Sequence, residues 1–262
     1  MLVTTQSIGE DAVLQWALRF LETSGIHDPL RRDVAIALEV SRPGTLQLSY
    51  EAGIDAGLGH EELLVRAAAI YFLSSAVNVG DDLSDGDCTY FDEPRKTGPC
   101  VQAILRNLFT KLVLDAGVSP SGLSLAVGDL LAAIDAQRLE LATSQWNADG
   151  YKRVAGGIGG RLFAAYFRVL WDGTPLAHRA PLVGDNIGRM LIVAEDVSSK
   201  DRRYTSLPPE DQRSVVAWAW TAVRRLRAER LRSIEFLLRP IEPVLRAACP
   251  TRGRRVGGPG AR

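Results

Sequence analysis

Asp81, Asp82, Asp85 and Asp87 crowd the segment NVGDDLSDGD, directly after the apolar run VRAAAIYFLSSAV. If the helix continues through them, Asp81 and Asp85 share one face, with about 5–6 Å between their Cβ atoms. Asp82 is turned about 100° away. Carboxylates at that spacing repel, and the C-terminal end of a helix is itself negative. Cations are what such a cluster calls for. Carboxylate oxygens suit Mg²⁺, which keeps several waters and combines one or two protein carboxylates with substrate phosphates. The competing reading is an acidic loop that begins at Gly80 and is simply solvated.

A second cluster, EDVSSKDRRY, begins at Glu195. Glu195, Asp196 and Ser199 have one-turn spacing and could hold a further Mg²⁺. Lys200, Arg202 and Arg203 follow and could grip phosphate oxygens, arginine in bidentate fashion. The competing reading here is a charged helix end with internal pairs.

These residues need helices to place them, and helical periodicity dominates the chain. It predicts helices at roughly 9–24, 28–40, 43–57, 60–85, 100–116, 120–146, 148–171, 178–200 and 208–248. Gly59-His60 and Ser119-Pro120 read as helix starts and Asp149 as an N-cap. Pro240 and Pro243 are expected to kink the last helix. No strand pattern is persuasive. Helix 60–85 is apolar nearly all round, as is 178–200, so both belong inside a bundle. The expected fold is one all-α domain over 1–248, with a disordered basic tail at 249–262.

Bulk properties exclude more than they assign. The 31 Lys+Arg balance the 31 Asp+Glu, so no global field favours nucleic acid or an anionic membrane. No signal peptide or membrane-length apolar run is evident. Cys88, Cys100 and Cys249 have no metal-ligand spacing and suggest a reducing cytoplasm. His27, His60 and His178 are scattered and read as structural or solvated. Trp218 and Trp220 read as core or subunit interface.

The segment GGIGG at 156–160 follows no strand and precedes no Lys-Ser/Thr pair, which argues against a phosphate loop. Glycines in a helical pattern cost about 1 kcal/mol each relative to alanine. They imply either a broken helix beside substrate or close helix packing.

Four segments together resemble the trans-isoprenyl diphosphate synthases. AAAIYFLSSAVNVGDDLSDGD is similar to that family's first aspartate-rich motif, and GRMLIVAEDVSSKD to its second. Between them, AAIDAQRLELA resembles the Gln-containing helix, with Gln137 at the matching place. YKRVAGGIGGRLFAAYF resembles the family's broken helix. The resemblance covers roughly 40–205. It implies an all-α bundle around a deep apolar cavity, in which three Mg²⁺ hold an allylic prenyl diphosphate and pull it off as pyrophosphate. It also implies a homodimer.

The departures carry information. The family's Gly-Gly-Lys-Arg…Arg-Pro segment, which binds isopentenyl diphosphate, stands here as EVSRPGTLQL, keeping Arg42-Pro43. PRKTGP retains Arg95 and Lys96 after the first motif. Ile158-Gly159 replace the family's Lys-Thr. In the second motif Glu195 and Ser199 replace aspartates. The resemblance thus implies a kept site for the allylic diphosphate and an eroded one for a second diphosphate. Transfer of the prenyl cation to another acceptor, as in moenocinol-type prenyltransferases, is the favoured expectation. Class I terpene cyclisation is the alternative, with Arg153 before the glycines in the role of a diphosphate sensor. Ordinary chain elongation and a non-catalytic regulatory subunit stand behind these.

On the face of α-helical residues 81–85, the side chains in descending order are Asn78, Ser75, Ser74 and Tyr71. Small residues over two turns would leave room for a prenyl tail. Tyr71 would close the floor about 15 Å below Asp81, a depth suited to a C10–C15 chain. Phe72, Phe163, Tyr166 and Phe167 could turn π-faces to a cation, or be plain core.

Overall fold

A computed structural model describes residues 8–41 and 45–248. Among these residues there are twelve α-helices, one five-residue π-helical segment, a short 3₁₀ turn and no strand. In chain order they are α1 (Ile8–Thr23), α2 (Leu30–Val40), α3 (Thr45–Asp55), α4 (His60–Asp85), α5 (Pro94–Asp115) and α6 (Pro120–Ala142). Then follow α7 (Ala148–Ala155), the π segment (Gly156–Gly160), α8 (Arg161–Trp171), α9 (Ala180–Ser199), α10 (Arg202–Thr205), α11 (Pro209–Glu229) and α12 (Arg232–Ala248). The expected all-α bundle is what forms. The basic tail at 249–262, Cys249 and Arg42-Pro43 lie outside the described residues.

α4 runs through the middle, packed by α1, α2, α3, α5 and α8. That surround explains why its apolar residues cover every side: Ala67–Phe72 are buried consecutively, with no outward face. Among the described residues, α4 is the helix with the length and composition of a membrane span, and most of that stretch is packed inside the bundle. Arg66 is buried there too. Its guanidinium donates to the carbonyls of Val169 (3.0 Å), Leu170 (3.3 Å) and Asp172 (2.8 Å), which α8 leaves unpaired at its C-terminal end. Glu62 balances the charge at 2.6 Å.

Asp172 in turn caps the start of α6, accepting from Ser119 N at 2.6 Å and Ser119 Oγ at 2.9 Å. Asp55, just at the end of α3, accepts from Arg232 N and Ser233 N, both at 3.0 Å, and so caps α12. Side chains far apart in sequence thus fix the helix ends.

Four expected boundaries move. α5 starts at Pro94, six residues early, because Pro at the first helical position needs no donor. α6 stops at Ala142, and Asn147, not Asp149, caps α7 by accepting from Gly150 N at 2.8 Å. The predicted 208–248 helix is two, separated at Arg230, which sits at φ 54. α12 remains helical through Pro240 and Pro243.

The expected 148–171 helix is interrupted at the glycines, and packing is the reason. A Cβ at Gly188 of α9 would meet the carbonyl of Gly159, and one at Gly184 would meet the backbone of Phe163 and Ala164. A Cβ at Gly159 would sit 2.6 Å from Ile192 Cδ1 and 2.8 Å from Gly188 O. The π segment and α8 therefore lie backbone to backbone on α9.

Candidate active site

Both acidic motifs fall at C-terminal helix ends, Asp81–Asp85 on α4 and Glu195–Ser199 on α9. α6 joins them. From its last turns, Gln137 Nε2 donates to Asp81 Oδ1 at 2.9 Å. One turn on, Glu140 faces Asp81 and Asp85 closely enough to repel both, and its other side is ion-paired with Arg203 Nη1. Arg203 Nη2 reaches Asp196 Oδ1 at 2.7 Å, and its Nε reaches Asp201 Oδ1 at 3.2 Å. The order Asp81, Gln137/Glu140, Arg203, Asp196 ties the two motifs together across α6 and α10.

The first motif is open. Asp81 and Asp85 are exposed, and Asp82 is half-buried, accepting from Tyr90 OH at 2.8 Å. Protein atoms crowding Asp81, followed by the carboxylates of Asp85, Glu140 and Asp82, push its carboxyl up to about 6. An open cleft of about 450 Å³ beside Asp82 is lined also by Arg95 and Lys96 at the start of α5. Lys96 is held by Glu93 at 2.6 Å, and both basic residues are exposed.

The second motif is closed on itself. Asp196 is 2% exposed. One oxygen takes Arg203, the other takes Tyr151 OH at 2.6 Å. Burial pushes Asp196 up to about 6 against those two partners. Burial works against the Arg203 charge, but Asp196, Glu140 and Asp201 outweigh it and raise the guanidinium further. Glu195, Ser199, Lys200 and Arg202 are all exposed around this pair, Lys200 in the left-handed region at φ 59.

Below the motifs, Asn78 is half-buried and Ser75, Ser74 and Tyr71 are buried along α4. The Ser75 hydroxyl has no hydrogen-bond partner among the described residues. The Tyr71 hydroxyl donates to the Leu38 carbonyl on α2, so its ring is fixed in the core. From α8, Phe163 is half-buried and meets Tyr166 edge-on at 5.3 Å between centroids, and burial pushes the Tyr166 hydroxyl up. Arg153 stands exposed on α7, three residues before the π segment.

Sequence reading missed Glu140, Tyr151 and Tyr90. Glu140 lies three residues after Gln137 on the same face, a signal that was available. Tyr151 meets Asp196 across 45 residues, and no local pattern announces that.

Among the described residues, no three acidic, histidine or cysteine side chains converge to hold one metal ion. The donor set of the first motif nevertheless fits Mg²⁺. It consists of hard carboxylate oxygens, crowded and mutually repelling, with solvent access for the ion's waters.

No protein-family model matches the chain, and no curated protein matches it. Solved structures do. A geranyltranstransferase from Thermotoga maritima superposes with a TM-score of 0.69 at 16% identity, covering 92% of this chain and 98% of its own. An isoprenoid synthase family member from Thermotoga neapolitana gives 0.69 at 15% identity, covering 88% and 98%. A polyprenyl synthase from Caulobacter crescentus, complexed with calcium and isoprenyl diphosphate, gives 0.60 at 16% identity, covering 94% and 84%. The fold is that of the isoprenyl diphosphate synthases, carried by a widely diverged sequence.

Proposed function

We propose that this chain is a Mg²⁺-dependent prenyltransferase. It ionises an allylic prenyl diphosphate of C10–C15 length and passes the prenyl cation to an acceptor other than isopentenyl diphosphate. The observation that carries this reading is the set of self-repelling carboxylates at the end of α4, linked through Gln137 and Glu140 to Arg203, on this fold.

The carbon–oxygen bond of the allylic diphosphate breaks heterolytically, and the electron pair leaves with pyrophosphate. The acceptor's electron pair forms the new bond, and a proton departs from the adduct. Asp81, Asp82 and Asp85 would hold Mg²⁺, which when bound neutralises charge on the departing pyrophosphate. Arg95, Lys96, Lys200 and Arg202, all exposed around the two motifs, bind the diphosphate oxygens. Arg153 would supply a further contact from α7. Glu195 and Ser199 can donate to a further ion, up to three in all. Asp196 would join them only by giving up its ion pair with Arg203, which would leave that guanidinium free for the diphosphate. The prenyl tail lies along Asn78, Ser75 and Ser74 toward Tyr71, and Phe163 offers its π-face to the cation.

Gly159, at the place of the family's Thr, is shut against Gly188 and Ile192, so a side chain there has no room. A purely regulatory role is disfavoured by the cost of gathering these carboxylates without a cation.

We place the protein in the cytoplasm as a homodimer. Cys88 and Cys100 are free thiols, as a reducing compartment keeps them. Val127, Leu131, Ile134 and Leu141 form an exposed apolar stripe on α6, 42–73% exposed, which a second copy would cover.

Geranyl and farnesyl diphosphate, each with and without isopentenyl diphosphate, form the deciding panel. Pyrophosphate release that depends on Mg²⁺ and ignores isopentenyl diphosphate supports the reading. Elongated products would restore ordinary chain synthesis, cyclised hydrocarbons would favour a terpene cyclase, and no release would reject catalysis.

A further inference from the structure

The chain is neutral overall, yet residues 213–262 carry twelve arginines, no lysine and three glutamates. The balancing acid lies in the first 212 residues, the two acidic motifs included. Eight of these arginines, from Arg213 to Arg246, sit on α11, α12 or the turn between them, and all eight are exposed.

Between α11 and α12 an open groove of about 790 Å³ has Leu226, Ile234 and Leu238 along its floor and Arg227, Arg230, Arg239 and Arg246 at its rim. Arg227 and Arg246 share one carboxylate, Glu242, at 2.5 and 3.2 Å. Arg230 and Arg239 have no carboxylate within ion-pair distance among the described residues, although Glu235 also lines the groove. The rim therefore holds a net positive charge over an apolar floor.

This groove opens far from the acidic motifs. Glu229, at the end of α11, pairs at 3.2 Å with Arg179, which precedes the first residue of α9. The second motif ends that same helix, roughly 30 Å away along its axis.

We propose that the α11–α12 groove docks the protein on a bilayer carrying anionic phospholipid. Lipid phosphates meet the arginines, which bind them in bidentate fashion, and the leucine floor takes the adjoining apolar carbons. Charge selects this occupant. The chain's own tail carries Arg252, Arg254, Arg255 and Arg262 with no acid, and a second copy would present the same arginines, so both are repelled. Nucleic acid would use the rim and leave the leucine floor wet. The distance from the acidic motifs keeps their negative field off the lipid and leaves their end of the bundle uncovered. The proposal is independent of the prenyltransferase reading, because binding to vesicles involves no chemistry.

The test sediments the full chain with phosphatidylglycerol vesicles and with phosphatidylcholine vesicles, at low and high salt. Binding to phosphatidylglycerol alone, lost at high salt, is expected. At about 1 kcal/mol per arginine near an anionic surface, the double variant Arg230→Gln/Arg239→Gln should bind about thirtyfold more weakly. Its thermal melt and its pyrophosphate release should be unchanged. Equal binding to phosphatidylcholine, or undiminished binding by a folded double variant, overturns the proposal. So does duplex DNA or polyglutamate that outcompetes phosphatidylglycerol for the wild-type chain, since the surface would then be a general polyanion site.

Discussion

The carboxylates at the end of α4 face solvent and one another, while Asp196 at the end of α9 is enclosed by Tyr151 and Arg203. Both ends inherit the negative pole of a helix, and they resolve it differently. Among the described residues no cation forms an ion pair with the α4 carboxylates, which accept only from neutral donors, Gln137 on Asp81 and Tyr90 on Asp82. The α9 end brings in a guanidinium that three carboxylates share. Under the proposed function one motif awaits a cation from outside, whereas the other already carries one and would have to give it up to bind another.

The largest expected effect tests the open end. Asp81→Asn removes one of the crowded carboxylates and should slow pyrophosphate release from an allylic diphosphate by about a hundred- to a thousandfold. A loss under about tenfold, read in single-turnover assays, would move the ion site elsewhere.

The closed end is tested by Arg203→Ala, which strands a buried Asp196. Denaturant unfolding should report a loss of about 3–5 kcal/mol, and Arg203→Ala/Asp196→Asn should recover most of it. A double variant as unstable as the single one would show that packing, not charge, is what Arg203 supplies. Gln137→Ala acts on the open end through its orientation alone. The Mg²⁺ concentration for half-maximal release should rise about tenfold, with stability changed by no more than about 0.5 kcal/mol. Tyr151→Phe removes one donor from Asp196 and should cost about 1 kcal/mol of stability. If it instead left the melt untouched, Arg203 alone would satisfy that carboxylate.

How much of this was legible depends on the range of the interaction involved. α4 was readable end to end, because a run apolar on every side has one home, the middle of a bundle. The family resemblance pointed to the Gln-containing helix, though not to the contact of Gln137 with Asp81, and the glycines left a break at 156–160 as one of two readings. The link between the two motifs was not. It depends on Arg203 meeting Glu140 across 63 residues, and nothing in EDVSSKDRRY distinguishes a phosphate-binding arginine from one already spent on carboxylates. The division of 208–248 was hidden for a similar reason. No glycine marks Arg230, and the cap that starts α12 is Asp55, 178 residues away from Ser233. The arginine excess of the C-terminal region was masked by the neutral total, since it appears only when the last fifty residues are counted apart.

The contact between Gly188 and Gly159 has a consequence for how this sequence can drift. Elsewhere in the core one aliphatic side chain can be exchanged for another of similar volume at modest cost. Where two backbones touch there is no side chain left to shrink, so every substitution adds atoms to a space that has none to yield. A saturation library should therefore show its sharpest intolerance at Gly184 and Gly188, positions with no chemistry of their own. A chain this diverged keeps its helices in register there by having nothing to vary.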